Sequence, residues 1–219
     1  LRKKAAASHK KKGIIEWRSH EPSRLETFSD AVFAFALTLI IVSIEVPKSF
    51  DELFETMKGT FSFAACFAML FVIWNSQNIF FRRYGLNDNT TLALNGILLF
   101  TVLVYAYPLK FLSLLLFAGG GYMHNGHWIK MINEGDTRTL MLIYDAGYTV
   151  IYLLFYLMYL NAQKYIHHLQ MTAKEIFETQ TITIINLINV CIGVLAILLA
   201  IILPDRLAGA SRVIYFLIP

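Results

Sequence analysis

The stretch from Arg24 to Asp30 carries the residues of this sequence that are best placed to do chemistry. Arg24, Phe28, Ser29 and Asp30 concentrate charge and hydrogen-bonding capacity where a long apolar run begins. An ionisable group at the edge of an apolar segment is a functional candidate, because burying a charge in hydrocarbon is costly. The Asp30 carboxylate could cap the helix that follows, or it could draw cations towards it.

Beyond Asp30, four side chains recur at helical spacing and share one face: Phe35, Thr38, Leu39 and Val42. Packing in a core or against lipid would explain a single stripe of this kind. The polar entrance suggests another role. If several copies of this helix surrounded an axis, the acidic groups could attract cations, and the apolar side chains could form a narrow constriction. One chain supplies one such helix, so this arrangement requires an oligomer.

The remaining motifs give little support for catalysis. His124 and His127 form an H-x-x-H pair, whereas a metalloprotease helix needs H-E-x-x-H. The sequence contains no G-x-S-x-G motif, phosphate-binding loop or dinucleotide fingerprint. We therefore expect neither an enzyme nor a cofactor. Residues 119–122, Gly-Gly-Gly-Tyr, lack the Thr-Val and the final Gly of a conventional potassium filter and predict a flexible loop.

Two ionisable residues lie inside apolar segments, Lys110 and Asp145. They could pair across adjacent helices, or Asp145 could reach interfacial water. A proton-coupled secondary transporter that uses Asp145 is the alternative to a channel. Such carriers normally show a deeper chain of carboxylates or helices broken at the midplane, and the sequence indicates neither.

The composition indicates the elements that must position these residues. Apolar residues make up 57% of the 219 residues and charged residues only 16%, whereas soluble domains carry roughly 25% charged residues. A spanning helix needs about 20 mostly apolar residues. We therefore predict an all-α, polytopic membrane protein with six transmembrane helices, at about 27–46, 53–81, 90–117, 140–160, 181–203 and 205–219.

Local signals refine these predicted spans. Thr27 and Asp30 have the spacing of a capping box, which would start the first helix. Pro108 should kink the third helix or end it early. Residues 122–136 should form a polar loop. The predicted organisation is a basic N-terminal segment, 1–26, followed by a transmembrane domain, 27–219.

Charge predicts the orientation. The first 26 residues contain a run of basic side chains: Arg2, Lys3, Lys4, Lys10, Lys11, Lys12, Arg18 and Arg24. We expect this segment to be cytoplasmic and attracted to anionic lipid headgroups, rather than to nucleic acid. Because Arg82, Arg83, Lys164 and Lys174 follow even-numbered spans, the positive-inside rule places both termini in the cytoplasm.

The signature Arg24-x-x-x-Phe28-Ser29-Asp30 resembles the R-x-x-x-F-S-D motif of the transmembrane protein 175 family of potassium channels. Trp74 and Phe81 match that family's W-x-x-H-x-x-x-F pattern, in which Gln77 replaces the His. Asn95 and Pro108 also stand where the family usually has Asn and Pro. The resemblance covers the first half of the chain well, and the six-span layout throughout.

The resemblance implies a potassium-preferring channel without a re-entrant pore loop. It implies the single-repeat prokaryotic form, a homotetramer in the plasma membrane, with potassium as the permeant ion and the first helix lining the central pore. Carried over from the motif, the constriction falls on Phe35, Thr38 or Leu39, and Val42. Arg24 and Asp30 would belong to a network that holds the inner helices together. Gln77 cannot titrate near neutral pH, and Phe35 stands where a branched aliphatic residue is usual.

Overall fold

The computed structural model describes residues 21–42, 49–50, 60–117, 121–124, 127–133 and 136–202. Within them the chain forms five α-helices and one β-hairpin. In chain order the elements are α1 Arg24–Val42, α2 Thr60–Tyr84, α3 Asn89–Phe117, β1 Gly121–His124, β2 His127–Lys130, α4 Asp136–Lys164 and α5 Ala173–Ile202. The predicted sixth span and most of the predicted N-terminal segment lie outside the described residues.

Four of these helices are long and apolar enough to cross a membrane: Phe63–Tyr84 of α2, Asn89–Leu112 of α3, and the whole of α4 and α5. The chain is therefore a membrane protein. The first predicted span, α1, is not among the four. Its 19 residues include Arg24, Glu26 and Asp30, and residues 43–46 of the predicted span lie outside the described part of the chain.

The first helix begins one turn earlier than we predicted. The Glu26 amide donates to the Ser23 hydroxyl oxygen at 3.2 Å, and the Ser23 amide donates to Glu26 Oε1 at 3.0 Å. These reciprocal bonds are a capping box, so the predicted cap formed by Thr27 and Asp30 is wrong. Both pairs have the required spacing, but Ser23 follows Pro22 and precedes the first helical residue. The Asp30 carboxylate is consequently available to another helix.

The third helix continues through Pro108 and ends at Phe117, so the predicted early end at Pro108 is wrong. Here the Tyr144 hydroxyl on α4 donates to the Pro108 carbonyl oxygen at 2.7 Å. The proline turn of α3 is therefore attached to α4.

A β-hairpin occupies part of the segment in which we predicted only a polar loop. The strands pair antiparallel, with Gly121 opposite Lys130 and His124 opposite His127. The two residues between the strands in the sequence are Asn-Gly, a strong signal for a two-residue hairpin turn. We did not use this dipeptide when we predicted a polar loop.

Polar contacts establish which helix ends lie together. Arg83 at the end of α2 contacts Glu178 in the second turn of α5 at 3.3 Å. Asp88, directly before α3, accepts a hydrogen bond from Asn161 near the end of α4 at 3.0 Å. We call this end of the bundle the basic end, because it carries Arg82, Arg83, Lys164 and Lys174. The opposite end, which holds β1 and β2, is the hairpin end.

Two apolar cores hold the helices together. The first lies towards the basic end, where aromatic residues of α2 pack on Tyr159 and Met158 of α4. The second packs α1 against α2 and α3, and its buried members are Phe33, Ala36, Ile40, Cys66, Leu70, Leu99, Val102 and Ala106. The second core fixes which side of α1 faces its own chain.

Candidate functional site

The inward face of α1 is closely packed. Ser29, Phe33, Ala36 and Ile40 are each at most 4% exposed, and they recur at the three- and four-residue spacing of one helical face. The three apolar members pack on α2 and α3, while Ser29 bonds to a polar side chain of α3. Packing of this face leaves the other side of α1 turned away from the chain.

The outward face of α1 carries Phe35 and Thr38. Phe35 is 55% exposed, and Thr38 is also exposed. Leu39 is half-buried at the edge of this face. Val42 is the last residue of α1, and its side chain lies outside the described part of the structure. We call the outward surface the α1 stripe; its exposed members are Ala31, Ala34, Phe35, Thr38 and Ile41.

The small and aliphatic members of the α1 stripe were missed by our sequence analysis. Ala31 and Ala34 precede Thr38 by seven and four residues, and Ile41 follows it by three. This is the spacing of one helical face, so helical periodicity could have identified them. Because the two alanine side chains are small, the α1 stripe protrudes little near its polar end. Phe35 is its largest exposed side chain.

The Thr38 hydroxyl has a defined orientation. It donates its hydrogen to the Ala34 carbonyl oxygen of the preceding turn at 2.9 Å. A hydroxyl oxygen also has two acceptor lone pairs. Because the hydrogen is committed to the backbone, those lone pairs remain available for a donor or a cation beside the exposed face of α1.

A buried polar network joins α1, α2 and α3. Asn95 Nδ2 donates to Ser29 Oγ at 3.0 Å, and Gln77 Nε2 donates to Asn95 Oδ1 at 2.5 Å. Ser29 Oγ donates in turn to the Leu25 carbonyl oxygen at 2.8 Å. The three side chains are at most 2% exposed. Since buried polar groups need partners, this network constrains the spacing of the three helices.

A second contact joins α1 to α2 at the edge of the network. Trp74 Nε1 donates to Asp30 Oδ1 at 2.7 Å. A bond to an ionised carboxylate is stronger than one between neutral groups. Asp30 also borders a cavity of about 250 Å³ at the basic end, whose other ionisable lining residues are Glu21, Glu26 and Arg82. The lining therefore carries three carboxylates and one guanidinium.

The structure does not bring every predicted motif residue into this network. Arg24 is exposed, and within the described part of the chain its side chain forms no hydrogen bond or ion pair. Phe28 is 60% exposed, whereas Phe81 is 1% exposed and packs edge-on against Phe80. Ser29, Asp30, Trp74, Gln77 and Asn95 therefore lie together, while Arg24 and Phe28 lie on the surface of the single chain.

A polar cluster that the sequence analysis overlooked centres on Asp88, which lies just before the span of α3 at the basic end. The Asp88 carboxylate accepts hydrogen bonds from the Thr91 amide at 3.3 Å and from Asn161 at 3.0 Å. Desolvation acts to raise the pKa of Asp88, but the hydrogen bonds from Thr91 and Asn161 outweigh it and lower the pKa below 3.8. Asp88 is thus an ionised cap for α3 that also holds α4.

Asp145 and Lys110 lie apart from the α1 stripe. Asp145 is 1% exposed on α4, and its backbone carbonyl accepts the Thr149 hydroxyl hydrogen at 2.6 Å. Lys110, on α3, donates from Nζ to the Ile40 carbonyl oxygen of α1 at 3.2 Å. Two asparagines of α5, Asn186 and Asn189, also lie in the bundle interior. Asn189 is 2% exposed and accepts the Tyr148 hydroxyl hydrogen at 2.6 Å.

Known proteins are similar to this chain in sequence. The family model for the endosomal/lysosomal potassium channel TMEM175 matches residues 24–105. A protein named potassium channel from Marivirga tractuosa is 38% identical over 211 residues, which cover 93% of this chain and 85% of that protein. A potassium channel from Chamaesiphon minutus is 30% identical over 101 residues, or 42% of this chain and 50% of that protein.

Solved structures share the fold. The potassium channel MtTMEM175, a variant bound to a nanobody–MBP fusion protein, matches with a TM-score of 0.82 and 37% identity, covering 93% of this chain and 91% of that one. A lysosomal potassium-selective channel TMEM175 homolog from Chamaesiphon minutus matches with a TM-score of 0.59 and 21% identity, covering 90% and 96%; this likeness concerns the fold alone. The family match spans the stripe and the polar network, the Marivirga relative extends it over most of the chain, and the chain therefore belongs to the TMEM175 family.

Proposed function

We propose that this chain is the subunit of a passive, potassium-preferring cation channel whose pore is lined by α1. The observation that carries this proposal is the exposure of Phe35 and Thr38 on a helix whose opposite face is packed on α2 and α3. The relatives that match most of the chain are named potassium channels, and channels are not enzymes. Potassium is the permeant ion, and conduction needs no cofactor.

The assembly that suits this arrangement is a homotetramer. Each chain supplies one α1 stripe, so four chains around an axis enclose a passage lined by four copies of Phe35 and Thr38. The small residues Ala31 and Ala34 in the stripe favour close approach of helices within a membrane. The sixth predicted span, residues 205–219, lies outside the described residues, and no re-entrant loop is needed to form the passage.

The proposed orientation places the basic end in the cytoplasm of a prokaryotic cell, with the channel in the plasma membrane. The supporting feature is the concentration of Arg and Lys at this end. Both termini are then cytoplasmic, and residues 1–26 form a basic segment that contacts anionic lipid headgroups. Residues 27–219 form the channel domain. No nucleic acid takes part.

Each part of the α1 stripe has a separate role in conduction. The carboxylates around the cavity beside Asp30 raise the local concentration of cations at the cytoplasmic entrance. Phe35 forms the narrowest apolar ring, which excludes water unless the rings turn aside. Thr38 then offers four hydroxyl oxygens to a partly dehydrated potassium ion. Leu39 and Val42 continue the lining, with Leu39 placed at its margin.

The polar network positions this lining. Asn95 and Gln77 hold Ser29, and Trp74 holds Asp30, so the first turns of α1 keep a fixed distance from α2 and α3. Phe81 supports α2 from the core. Arg24 and Phe28, which are exposed in the single chain, face neighbouring subunits in the tetramer.

A transporter that uses Asp145 is not favoured. The relatives named above are channels, and Asp145 lies on α4, away from the exposed face of α1. Passive conduction predicts currents through single open channels, whereas a carrier predicts saturable flux that depends on Asp145. Recording single-channel currents from the purified protein in a planar bilayer distinguishes these two functions.

Two pore variants test the lining, each with a control of the same residue type. Thr38→Ala removes the hydroxyl; its control is Thr181→Ala, since Thr181 is also exposed and also bonds a carbonyl one turn back at 2.9 Å. We expect Thr38→Ala to lower the potassium-over-sodium permeability ratio about two- to tenfold. This change is about 0.4 to 1.4 kcal/mol, below the roughly 1.5 to 3 kcal/mol of a hydrogen bond to a charged group.

Phe35→Ala widens the proposed constriction and should raise the unitary potassium conductance while lowering the permeability ratio. Its control is Phe177→Ala, because Phe177 is 68% exposed on α5. Both pairs are measured as reversal potentials and unitary currents in the same bilayers. An unchanged permeability ratio in both Thr38→Ala and Phe35→Ala would refute the assignment of α1 as the pore helix.

A further inference from the structure

A cavity of about 790 Å³ lies among α2, α3, α4 and α5. Sites that hold small molecules have volumes of roughly 300 to 1,000 Å³. Apolar and aromatic side chains make up most of the wall, and among the described residues no Lys, Arg, His, Asp or Glu lines it. The described residues of α1 do not line it either. The cavity is therefore separate from the α1 stripe, and its wall suits an uncharged molecule.

The α2 side of the cavity is open in the single chain. Met69 and Val72 line the cavity from α2, and they are 40% and 59% exposed. Both lie within Phe63–Tyr84, the part of α2 that is long and apolar enough to cross a membrane. A molecule that enters between these side chains therefore comes from the hydrocarbon of the bilayer.

Tyr148 and Asn189 form one polar pair in the cavity wall. The Tyr148 hydroxyl on α4 donates to Asn189 Oδ1 on α5 at 2.6 Å, and Asn189 Nδ2 donates to the Ile185 carbonyl oxygen at 2.9 Å. Both polar atoms of the Asn189 side chain are thus in use. This bond also fixes which turns of α4 and α5 lie at the same level.

A second polar pair, Tyr152 and Asn186, lines the cavity one turn nearer the basic end. Asn186 is 7% exposed, and its Nδ2 donates to the Ile182 carbonyl oxygen at 2.9 Å. Its Oδ1 accepts no hydrogen bond within the described part of the chain, where the Tyr152 hydroxyl also forms none. The Tyr152 ring lies beside the Tyr148 ring, with 4.6 Å between the centroids.

The free oxygen of Asn186 is costly at this depth. Asn186 lies near the middle of α5, which extends over Ala173–Ile202, and a buried carbonyl oxygen without a donor loses free energy that water would otherwise supply. A hydroxyl group can both donate and accept. One hydroxyl between the two helices could donate to Asn186 Oδ1 and accept from Tyr152, whereas a plain hydrocarbon chain could do neither.

We propose that this cavity binds an uncharged, membrane-soluble amphiphile of the long-chain alcohol class. Its hydroxyl group bonds Asn186 and Tyr152, and its hydrocarbon chain lies along the apolar wall towards Met69 and Val72. The uncharged wall, the two open polar groups and the opening on the α2 side each determine one of these features. The inference goes beyond the proposed function and does not depend on α1 lining the pore.

The test uses a photoreactive probe and the full chain in phosphatidylcholine vesicles. The probe is a twelve-carbon primary alcohol with a diazirine in its chain, and mass spectrometry locates the labelled residues. We expect saturable labelling of the cavity wall that 1-dodecanol displaces. Dodecyl methyl ether lacks the donor and dodecane lacks the oxygen, so both should displace the probe at least about threefold less effectively, as expected for the loss of one hydrogen bond.

Two variants identify the polar pair, each with a control of the same residue type. Tyr152→Phe removes only the hydroxyl; its control is Tyr156→Phe, because Tyr156 is half-buried one turn further along α4 and does not line the cavity. Asn186→Leu removes the amide; its control is Asn89→Leu, at an exposed position on α3. We expect each cavity variant to weaken probe binding about three- to tenfold and each control to leave it unchanged.

Several results would overturn the proposal. Equal displacement by dodecane and 1-dodecanol would show that hydrocarbon alone fills the cavity. No labelling of the wall would show that another part of the chain or a second copy covers it. Unchanged probe binding in Tyr152→Phe would refute the assigned hydroxyl site, even if Asn186→Leu does not assemble. Because labelling does not require conduction, each of these results leaves the proposed pore untouched.

Discussion

Replacing Asn95 by leucine should loosen the attachment of α1 to the rest of the subunit. Asn95 bonds Ser29 on α1 and Gln77 on α2, and it is 0% exposed. Leucine fills a similar volume, so the substitution removes two interhelical bonds with little change in packing. Ser29 keeps its bond to the Leu25 carbonyl oxygen, whereas the Gln77 amide loses the Asn95 oxygen to which it donates.

The expected cost follows from the two bonds. Hydrogen bonds between membrane helices contribute about 0.6 kcal/mol on average and up to about 1.7 kcal/mol each. Asn95→Leu should therefore lower the free energy of unfolding by about 1 to 3 kcal/mol. The measurement is reversible unfolding in mixed micelles, followed by tryptophan fluorescence at fixed protein concentration, since association contributes to apparent stability. The control is Asn89→Leu, at an exposed position at the start of the same helix.

A double-mutant cycle identifies the bond concerned. Gln77→Met alone should also be destabilising, and the double variant should lose less than the sum of the two single losses, because the second substitution removes a group that has already lost its partner. Additive losses to within about 0.3 kcal/mol would show that Gln77 and Asn95 do not interact. A stability of Asn95→Leu equal to that of Asn89→Leu would refute the reasoning about the network as a whole.

Two further predictions concern packing and pH. A Cβ atom at Gly147 would overlap the Tyr105 ring, whereas one at Gly96 would meet nothing within 4 Å; Gly147→Ala should therefore destabilise the protein by about 1 to 3 kcal/mol, and Gly96→Ala should not, when both are measured by unfolding in micelles. The lowered pKa of Asp88 means that its contribution to stability is complete above pH 3.8 and is lost as the pH falls through the lower folded-state value. Asp88→Asn should flatten acid unfolding curves in this range, and an unchanged curve would contradict the assigned cap.

Much of the helical architecture was predictable from composition and periodicity. Runs of apolar residues indicated α2 to α5 because a spanning helix must satisfy its own backbone. The positions at which the helices begin and end were less predictable. The pair Ser23–Glu26 and the pair Thr27–Asp30 fit the same capping pattern, and only the bonds of the folded chain distinguish them. Pro108 was predicted to kink α3 or to end it early, because the bond from Tyr144 that attaches this turn to α4 is not visible along the chain.

The candidate site was also predictable only in part, because its residues come from distant parts of the sequence. Ser29 and Asp30 were identified by residue type and position, whereas Trp74, Gln77 and Asn95 came from the resemblance to the channel family. Their pairing was not predicted, because Trp74 and Asp30 are 44 residues apart and Asn95 and Ser29 are 66 residues apart. A signature identifies residues that matter without saying which of them touch.

The sequence by itself determined that this is a membrane protein of helices, and that Phe35 and Thr38 share one side of the first of them. Helical periodicity fixes which residues of one helix face the same way. Only the tertiary structure decided that this side faces away from the chain, that Asp30 binds Trp74, and that the Lys110 ammonium on α3 donates to the Ile40 carbonyl oxygen of α1. Contacts between helices depend on how rigid elements pack in three dimensions, and a pattern within one element does not contain that information.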